Sequence, residues 1–485
     1  MTNTFTPFQK PNPNRPSHHT NNFGTSFRNP WPSASTPTWT EIFQSSFPLS
    51  FYPDLAKRHP DIRDVKVVAP DWGEADLKAR GLDGNDCIVG TTLGHAGVMV
   101  QIPLEGTSKV VEEGKREGDE DEIGDVKRKG RKERLWVVFD PIFSARAGPT
   151  QYTGPGRTKR APCQVHDFPG CDAVVISHNH YDHLDLPTIQ AILKKFPKTK
   201  YFVPLGNKSW LANLGVPKDL IVELDWWEER EYSLQDFGYK YTGSKSDSNS
   251  GPRSRETRIR FTCVPAQHNS ARSPLDQGNT LWCGWVVEQL LISQDPDSKV
   301  ASDSDPNSSL TSTSADTTNR TATKIQHSAQ RKGTVYHAGD TGYRRTAHST
   351  STCPIFPTIG FKYGPIDLSF LPIWRGGSLS FFSTLGLRLS HKDIPSALHA
   401  SPADAMDIHA DVRSRNSVGV HFGTFVGSEN ESLEAILEFE EAREERGVGL
   451  LKDEVVNGEV SEGKGKTRAG VVDIGGSVAV RIGGD

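Results

Sequence analysis

The sequence predicts a layered α/β fold in which sheets are covered by helices. Two observations carry this. Short runs rich in β-branched and aromatic residues recur between residues 97 and 482. Helical stretches, one with a strong capping signal, stand between them. A third observation bounds the reading: hydrophobic residues are only 35% of the 485, so an ordinary core is diluted by polar insertions.

The elements follow in order. Residues 1–38 are rich in Asn, Pro, Ser and Thr and hold too little apolar surface to fold alone, so a disordered N-terminal tail is expected. Residues 1–24 lack acidic groups, but prolines interrupt the amphipathic stripe that a transit peptide needs. One domain then spans 39–485. Its expected strands are GVMVQI (97–102), LWVVFDPIF (135–143), DAVVISH (172–178), KYFVPL (200–205), LIVELD (220–225), RIRFTCVPAQH (258–268) and LWCGWVV (281–287). TVYHAGD (334–340), IDLSFLPI (366–373), SVGVHFG (417–423) and VVDIGGSVAVRI (471–482) complete them. Helices are expected at 186–196, 402–412 and 432–446. The second has Ser401 as N-cap, Pro402 at the first helical position and Asp404 at N3. Four polar stretches, at about 109–134, 244–256, 293–324 and 451–468, read as solvated insertions, whose closure entropy grows only slowly with length.

Composition also excludes partners. A formal net charge of −4 argues against a sequence-independent grip on nucleic acid. The six cysteines include no CxxC pair, which favours free thiols in a reducing compartment over a disulfide framework. No apolar run reaches the roughly 18 residues that span a bilayer, so work on lipid means visiting the membrane from outside. An intracellular location is expected, cytoplasmic or peripheral on internal membranes, with mitochondria left open.

The chemistry concentrates in SHNHYDHLD (177–185), directly after an apolar run. At a strand end, residues i and i+2 point the same way, so His178 and His180 can share one cation. The chain must then turn, and Asp182 and His183 can reach a neighbouring position. Imidazoles plus carboxylate without cysteine suit a catalytic zinc site better than a structural one. The plain alternative is a polar surface turn, which the spacing after a strand makes the weaker reading. Three more donors follow apolar runs: His268, Asp340 and His421. Asp340 is the natural bridge, because one carboxylate can offer an oxygen to each of two metals. Each of the three, alone, has a bland alternative as a satisfied core or surface residue; together they make a set.

HNHYDH (178–183) resembles the HxHxDH signature of the metallo-β-lactamase superfamily. NPWPS (29–33), GHAGVMVQ (94–101), DPIFSARAGPTQYTGPGR (140–157), VELDWWE (222–228), QHNSAR (267–272), AGDTGY (338–343), PADAMDIH (402–409) and HFGTF (421–425) resemble the N-acylphosphatidylethanolamine-hydrolysing phospholipase D family more narrowly. Matching blocks run from about 29 to 425. The resemblance implies an αββα sandwich with two zinc ions at one edge. It implies His178, His180 and His268 on one metal, Asp182, His183 and His421 on the other, and Asp340 bridging. It makes Asp182, Asp340 and His399 the catalytic candidates, His399 facing the substrate, and places His95 beside the site rather than on a metal. The implied reaction is hydrolysis of N-acylphosphatidylethanolamine to N-acylethanolamine and phosphatidic acid. A membrane phospholipid substrate, peripheral membrane contact and a possible homodimer come with it. Trp226 and Trp227 are read as packing residues. FFSTLGL (381–387) is weighed as a membrane-facing stretch, with ordinary core as the alternative. Two segments depart from the family: 374–398, beginning Trp374-Arg375-Gly376-Gly377, replaces a shorter stretch, and 293–324 has no counterpart. The competing readings are a hydrolase of the same fold acting on a lactone, thioester or sugar-phosphate lactone, and a non-catalytic lipid-binding protein on a hydrolase fold.

Overall fold

Side chains that alternate between two cores along the strands dictate the layers. Val98 and Val100 face one way and Met99 the other; Val137 and Phe139 oppose Val138; Phe202 opposes Tyr201 and Val203. All are buried, so each strand has two apolar faces and needs cover on both. The computed structural model describes residues 16–44, 50–51, 55–104, 107–109, 133–241, 255–293, 329–376, 385, 387–388, 395–425, 427–451, 455–456, 459–460 and 467–483.

The main elements are β1 (Cys87–Gly94), β2 (Gly97–Pro103), β3 (Arg134–Phe139), β4 (Ala173–Val175), α1 (Leu186–Lys195), β5 (Lys200–Pro204), β6 (Ile221–Leu224) and β7 (Glu229–Ser233). They continue with β8 (Arg255–Val264), β9 (Gly284–Ser293), β10 (Ala329–His337), α2 (Ile355–Tyr363), β11 (Leu368–Pro372), α3 (Pro402–Asp411), β12 (Asn416–Val420) and α4 (Glu429–Glu445). Last come β13 (Gly449–Leu450), β14 (Arg468–Gly470) and β15 (Ser477–Arg481). One sheet has seven strands in the order β15-β1-β2-β3-β4-β5-β6; the other has eight, β13-β14-β12-β11-β10-β9-β8-β7.

The sheets face each other across one core that joins Val137, Phe139, Val175 and Phe202 to Ile259, Phe261, Trp285 and Phe370. Phe202 stacks on Phe261 with ring centroids 3.8 Å apart. Each such ring stabilises the fold by about 1.5–3 kcal/mol on burial. α1 covers the outer face of the first sheet through Ile189 and Ile192. α2, α3 and α4 cover the second through Phe356, Met406, Ile408, Ile436 and Phe439. The result is the αββα sandwich.

Strand direction then positions the site. β3, β4, β5 and β6 are mutually parallel, as are β10, β11, β12 and β14. β8 is antiparallel to β9, and β9 to β10, so β8 runs with β10. The carboxyl ends of β8, β10 and β12 therefore share one edge of their sheet, and those of β3 and β4 one edge of theirs; His183, after β4, lies 3.2 Å from Asp340, after β10, so the two edges coincide.

Several expectations need correction. Residues 16–38 are not a disordered tail. His18 and His19 are buried and donate from Nε2 to the two carboxylate oxygens of Asp225, at 2.7 and 2.8 Å. Phe27 enters the inter-sheet core, and Trp31 stacks on Trp226 at 5.3 Å. A segment too polar to fold alone can still dock a few aromatic rings on a finished domain. The strand expected at 172–178 hydrogen-bonds as a strand only over Ala173–Val175, and the one at 135–143 stops at Phe139. β1, wholly buried, and α2 carry no signal read from the sequence. Most of the four insertions, and FFSTLGL apart from Leu385 and Leu387, lie outside the described residues. All six cysteines are free. No helix among the described residues is long and apolar enough to cross a membrane.

Candidate active site

The loop after β4 starts the site. It turns at once: the amides of His183 and Leu184 donate to the His180 carbonyl at 3.1 and 2.9 Å, and Pro187 helps begin α1. That turn separates two pairs of donors, His178 with His180 and Asp182 with His183. Arg272 braces it, donating to the carbonyls of Asn179 (2.8 Å) and Leu184 and lying over the Tyr181 ring.

Two clusters form, and all seven sequence-predicted ligands enter them. His178, His180, His268 and Asp340 converge in one. His268 Nε2 is 3.3 Å from His180 Nδ1 and 3.6 Å from Asp340 Oδ2; His178 Nε2 is 2.8 Å from His180 Nδ1. Asp182, His183, His421 and His95 form the second. Asp340 also reaches it, with Oδ2 3.2 Å from His183 Nε2 and Oδ1 3.0 Å from His421 Nε2. Asp340 thus stands between the clusters. His399 is close by, its Nε2 3.5 Å from Asp340 Oδ2 and its ring 5.6 Å from that of His421.

The outward nitrogens are fixed, and this sets which atoms face inward. Ser177 gives its hydroxyl proton to Asp140 at 2.6 Å, so His178 Nδ1–H donates to Ser177 Oγ at 2.9 Å. His183 Nδ1–H donates to Asp140 Oδ2 at 2.8 Å, and His268 Nδ1–H to the Leu398 carbonyl at 2.9 Å. Each of these three imidazoles then turns its Nε2 into the cluster, the arrangement that orients metal-ligating histidines. His95 Nε2–H donates to Asp182 at 2.8 Å, beside the cluster. Asp140, fully buried with φ of 39°, is a supporting residue that the cluster's own spacing does not point to. The readable signal was an acidic residue placed directly after an apolar strand.

These residues fit a divalent cation. His183 Nε2, Asp340 Oδ1 and both ring nitrogens of His421 are buried and make no hydrogen bond. His183 Nε2 lies 3.2 Å from Asp340 Oδ2 and His421 Nε2 3.0 Å from Asp340 Oδ1, spacings at which one cation can take both atoms of a pair. Zinc bonds of about 2.0–2.1 Å place tetrahedral ligand atoms about 3.3–3.4 Å apart, close to the spacings here. His95 and His421 hold left-handed backbone, φ 55° and 61°, the kind of strain that collects at working sites.

Electrostatics agree. Burial drives His178 and His268 well below the usual histidine range, and His180 and His95 down to about 4, which favours neutral rings: the first three available as ligands, His95 as a neutral donor to Asp182. Burial alone would raise Asp182 and Asp340, but His183 and the other imidazoles hold both well below the carboxylate range. Burial works against a charged His183 and His421, yet the carboxylates outweigh it. They push His183 well above its ordinary value and His421 to about 9.

The cluster floors a cavity of about 670 Å³ walled by Ala147, Pro155, Pro274, Trp374 and Phe425. Trp226 is packed as expected, its Nε1 donating to the Trp282 carbonyl at 2.6 Å.

The Beta-lactamase superfamily domain matches residues 135–299. N-acyl-phosphatidylethanolamine-hydrolyzing phospholipase D 1 of Caenorhabditis elegans is 30% identical over 366 residues, 75% of this chain and 71% of that one. This chain belongs to the N-acyl-phosphatidylethanolamine-hydrolysing phospholipase D family. It is a metal-dependent hydrolase on a metallo-β-lactamase fold. The mitochondrial phospholipase D of that name from Saccharomyces cerevisiae is 25% identical over 301 residues, 62% of this chain and 46% of its own. Among solved structures, the metallo hydrolase Igni18 of Ignicoccus hospitalis covers 81% of this chain and 98% of its own at 15% identity, with a TM-score of 0.39.

Proposed function

We propose that this member of the phospholipase D family cleaves N-acylphosphatidylethanolamine at the bond between phosphorus and the ethanolamine oxygen. The observation that carries the reading is the double His/Asp cluster, bridged by Asp340, at the floor of an apolar-walled cavity. Its occupants would be two zinc ions, held by His178, His180 and His268 and by Asp182, His183 and His421. The His/carboxylate donor set favours zinc. Such ions stabilise the charge that builds on a phosphodiester under attack and acidify a water to near neutrality.

The protein supplies the rest. His95 fixes one oxygen of Asp182, leaving the other to orient the attacking water and accept its proton. Water oxygen bonds to phosphorus, the bond to the ethanolamine oxygen breaks, and phosphatidic acid remains. The departing alkoxide needs a proton. His399, partly exposed above Asp340 and lining the cavity, is placed to give it. Apolar walls suit acyl chains, and the rim favours a lipid surface. Tyr152 is 91% and Leu275 93% exposed, on the two loops that line the cavity through Ala147 and Pro155 and through Ser273, Pro274 and Gln277.

The test is mass spectrometry of products from vesicles containing N-acylphosphatidylethanolamine, run beside lactone and thioester substrates. Release of N-acylethanolamine and phosphatidic acid is expected. The Tyr152→Ser/Leu275→Ser double variant should lose vesicle turnover while keeping activity on detergent-dispersed lipid. Turnover of lactones or thioesters alone would refute the lipid assignment.

A further inference from the structure

A second cavity, of about 680 Å³, borders the metal-site cavity. It is lined by the apolar Ile62, Val65 and Leu433 and by the charged Asp64, Lys66, Lys159 and Glu431, at the start of α4. Of the residues lining these two cavities, Trp374 alone is common to both.

Trp374 is held from several directions. Its Nε1 donates to Glu431 Oε1 at 3.1 Å, and its ring centre is 5.7 Å from that of His421. The preceding residue, Ile373, donates its amide to the Val420 carbonyl at 3.0 Å, which ties the segment to the strand leading into His421. The following residue, Arg375, is buried and pairs with Asp404, the N3 residue of α3. A Cβ at Gly376 would stand 2.7 Å from both Glu431 Oε1 and Trp374 Nε1, so only glycine leaves room for the indole's bond. Core side chains are packed on all sides. A large ring fixed this firmly, with hollow space on two sides, is a partition.

We propose that Trp374 ends the hydrocarbon-accepting part of the metal-site cavity and so limits the length of chain the site takes, an assignment that rests on the lipid reading above. Removing the indole would join the two cavities, and Ile62, Val65 and Leu433 are the apolar surface that the second offers to additional methylenes beside its charged groups.

The experiment uses the full, metal-loaded chain as wild type, Trp374→Ala and Trp374→Phe. Binding of straight-chain alkyl phosphates of increasing length is measured by calorimetry, and hydrolysis of N-acylphosphatidylethanolamines is followed over the same acyl lengths. Each buried methylene strengthens binding about fourfold. In the wild type this gain should stop at a limiting length. In Trp374→Ala it should continue for several more methylenes, with the hydrolytic preference shifting the same way. Trp374→Phe, which keeps a ring but loses the bond to Glu431, should stay near the wild-type limit. The same limiting length in wild type and Trp374→Ala at equal metal content overturns the partition, as does a wild type whose binding ignores chain length. Should Trp374→Ala fail to load metal, Trp374→Leu replaces it under the same criteria. A wild type that binds alkyl phosphates with a sharp limit but hydrolyses no N-acylphosphatidylethanolamine sinks the lipid reaction and leaves the partition standing.

Discussion

Asp340 approaches ligand atoms of both clusters, so its substitution reports on both at once. Asp340→Asn or His180→Ala should abolish turnover while circular dichroism stays native, because the surrounding sheets are unaltered. An active Asp340→Asn enzyme with normal metal content would contradict the bridging role. Asp140 acts differently, by orienting His183 and, through Ser177, His178. Asp140→Asn should weaken metal affinity by about 10–100-fold, the usual cost of losing an outer-sphere partner. A chelator competition titration measures this directly. The Asp182–His183 pair was legible in the sequence because six residues carry four of the donors. Asp140 was not, since nothing local shows that a lone aspartate 43 residues before His183 meets its Nδ1.

At the scale of elements, α3 shows the tightest match between local code and structure. Ser401 accepts from the Asp404 amide at 3.1 Å and Asp404 accepts from the Ser401 amide at 3.0 Å, closing the expected capping box. That box sets where the preceding loop, and thus His399, emerges. Ser401→Ala should cost about 1 kcal/mol in denaturant unfolding. It should also lower kcat more than it lowers metal content; an unchanged kcat would separate the cap from His399 placement. The N-terminal segment shows the opposite case. Its Asp225 anchor is raised by burial, but hydrogen bonds from His18 and the Trp226 amide outweigh this and leave it below the ordinary aspartate value. A depressed folded-state carboxyl contributes stability above its unfolded value and loses it as pH falls through the folded one. The segment should therefore become protease-sensitive on acidification, and Asp225→Asn should show that sensitivity at neutral pH. Protection unchanged in Asp225→Asn would show the aromatic stacking to suffice. Asn29 donates to the His268 carbonyl at 2.7 Å, so release of the segment should also loosen a ligand loop.

For the molecule as a whole, charge balance links metal and protons. Without a cation, His183 and His421 hold protons against Asp182 and Asp340. A divalent cation bound there would take over that neutralisation and displace them. Metal loading in weak buffer should release protons, and affinity should fall as pH falls, both readable by calorimetry in buffers of differing ionisation enthalpy. Loading without proton release at neutral pH would show that these histidines are not the ligands. The sequence by itself determined the layered α/β class, through strands interleaved with helices, and named seven candidate donors, through residue type after strand ends. Tertiary structure alone decided the rest: that β8, β10 and β12 deliver His268, Asp340 and His421 to one edge, that a polar N-terminal segment docks on Asp225, and that Trp374 separates two cavities. The reason is physical. Alternation and capping act between near neighbours, whereas parallel crossovers, docking and cavity walls depend on contacts between residues tens to hundreds of positions apart, which no local pattern encodes.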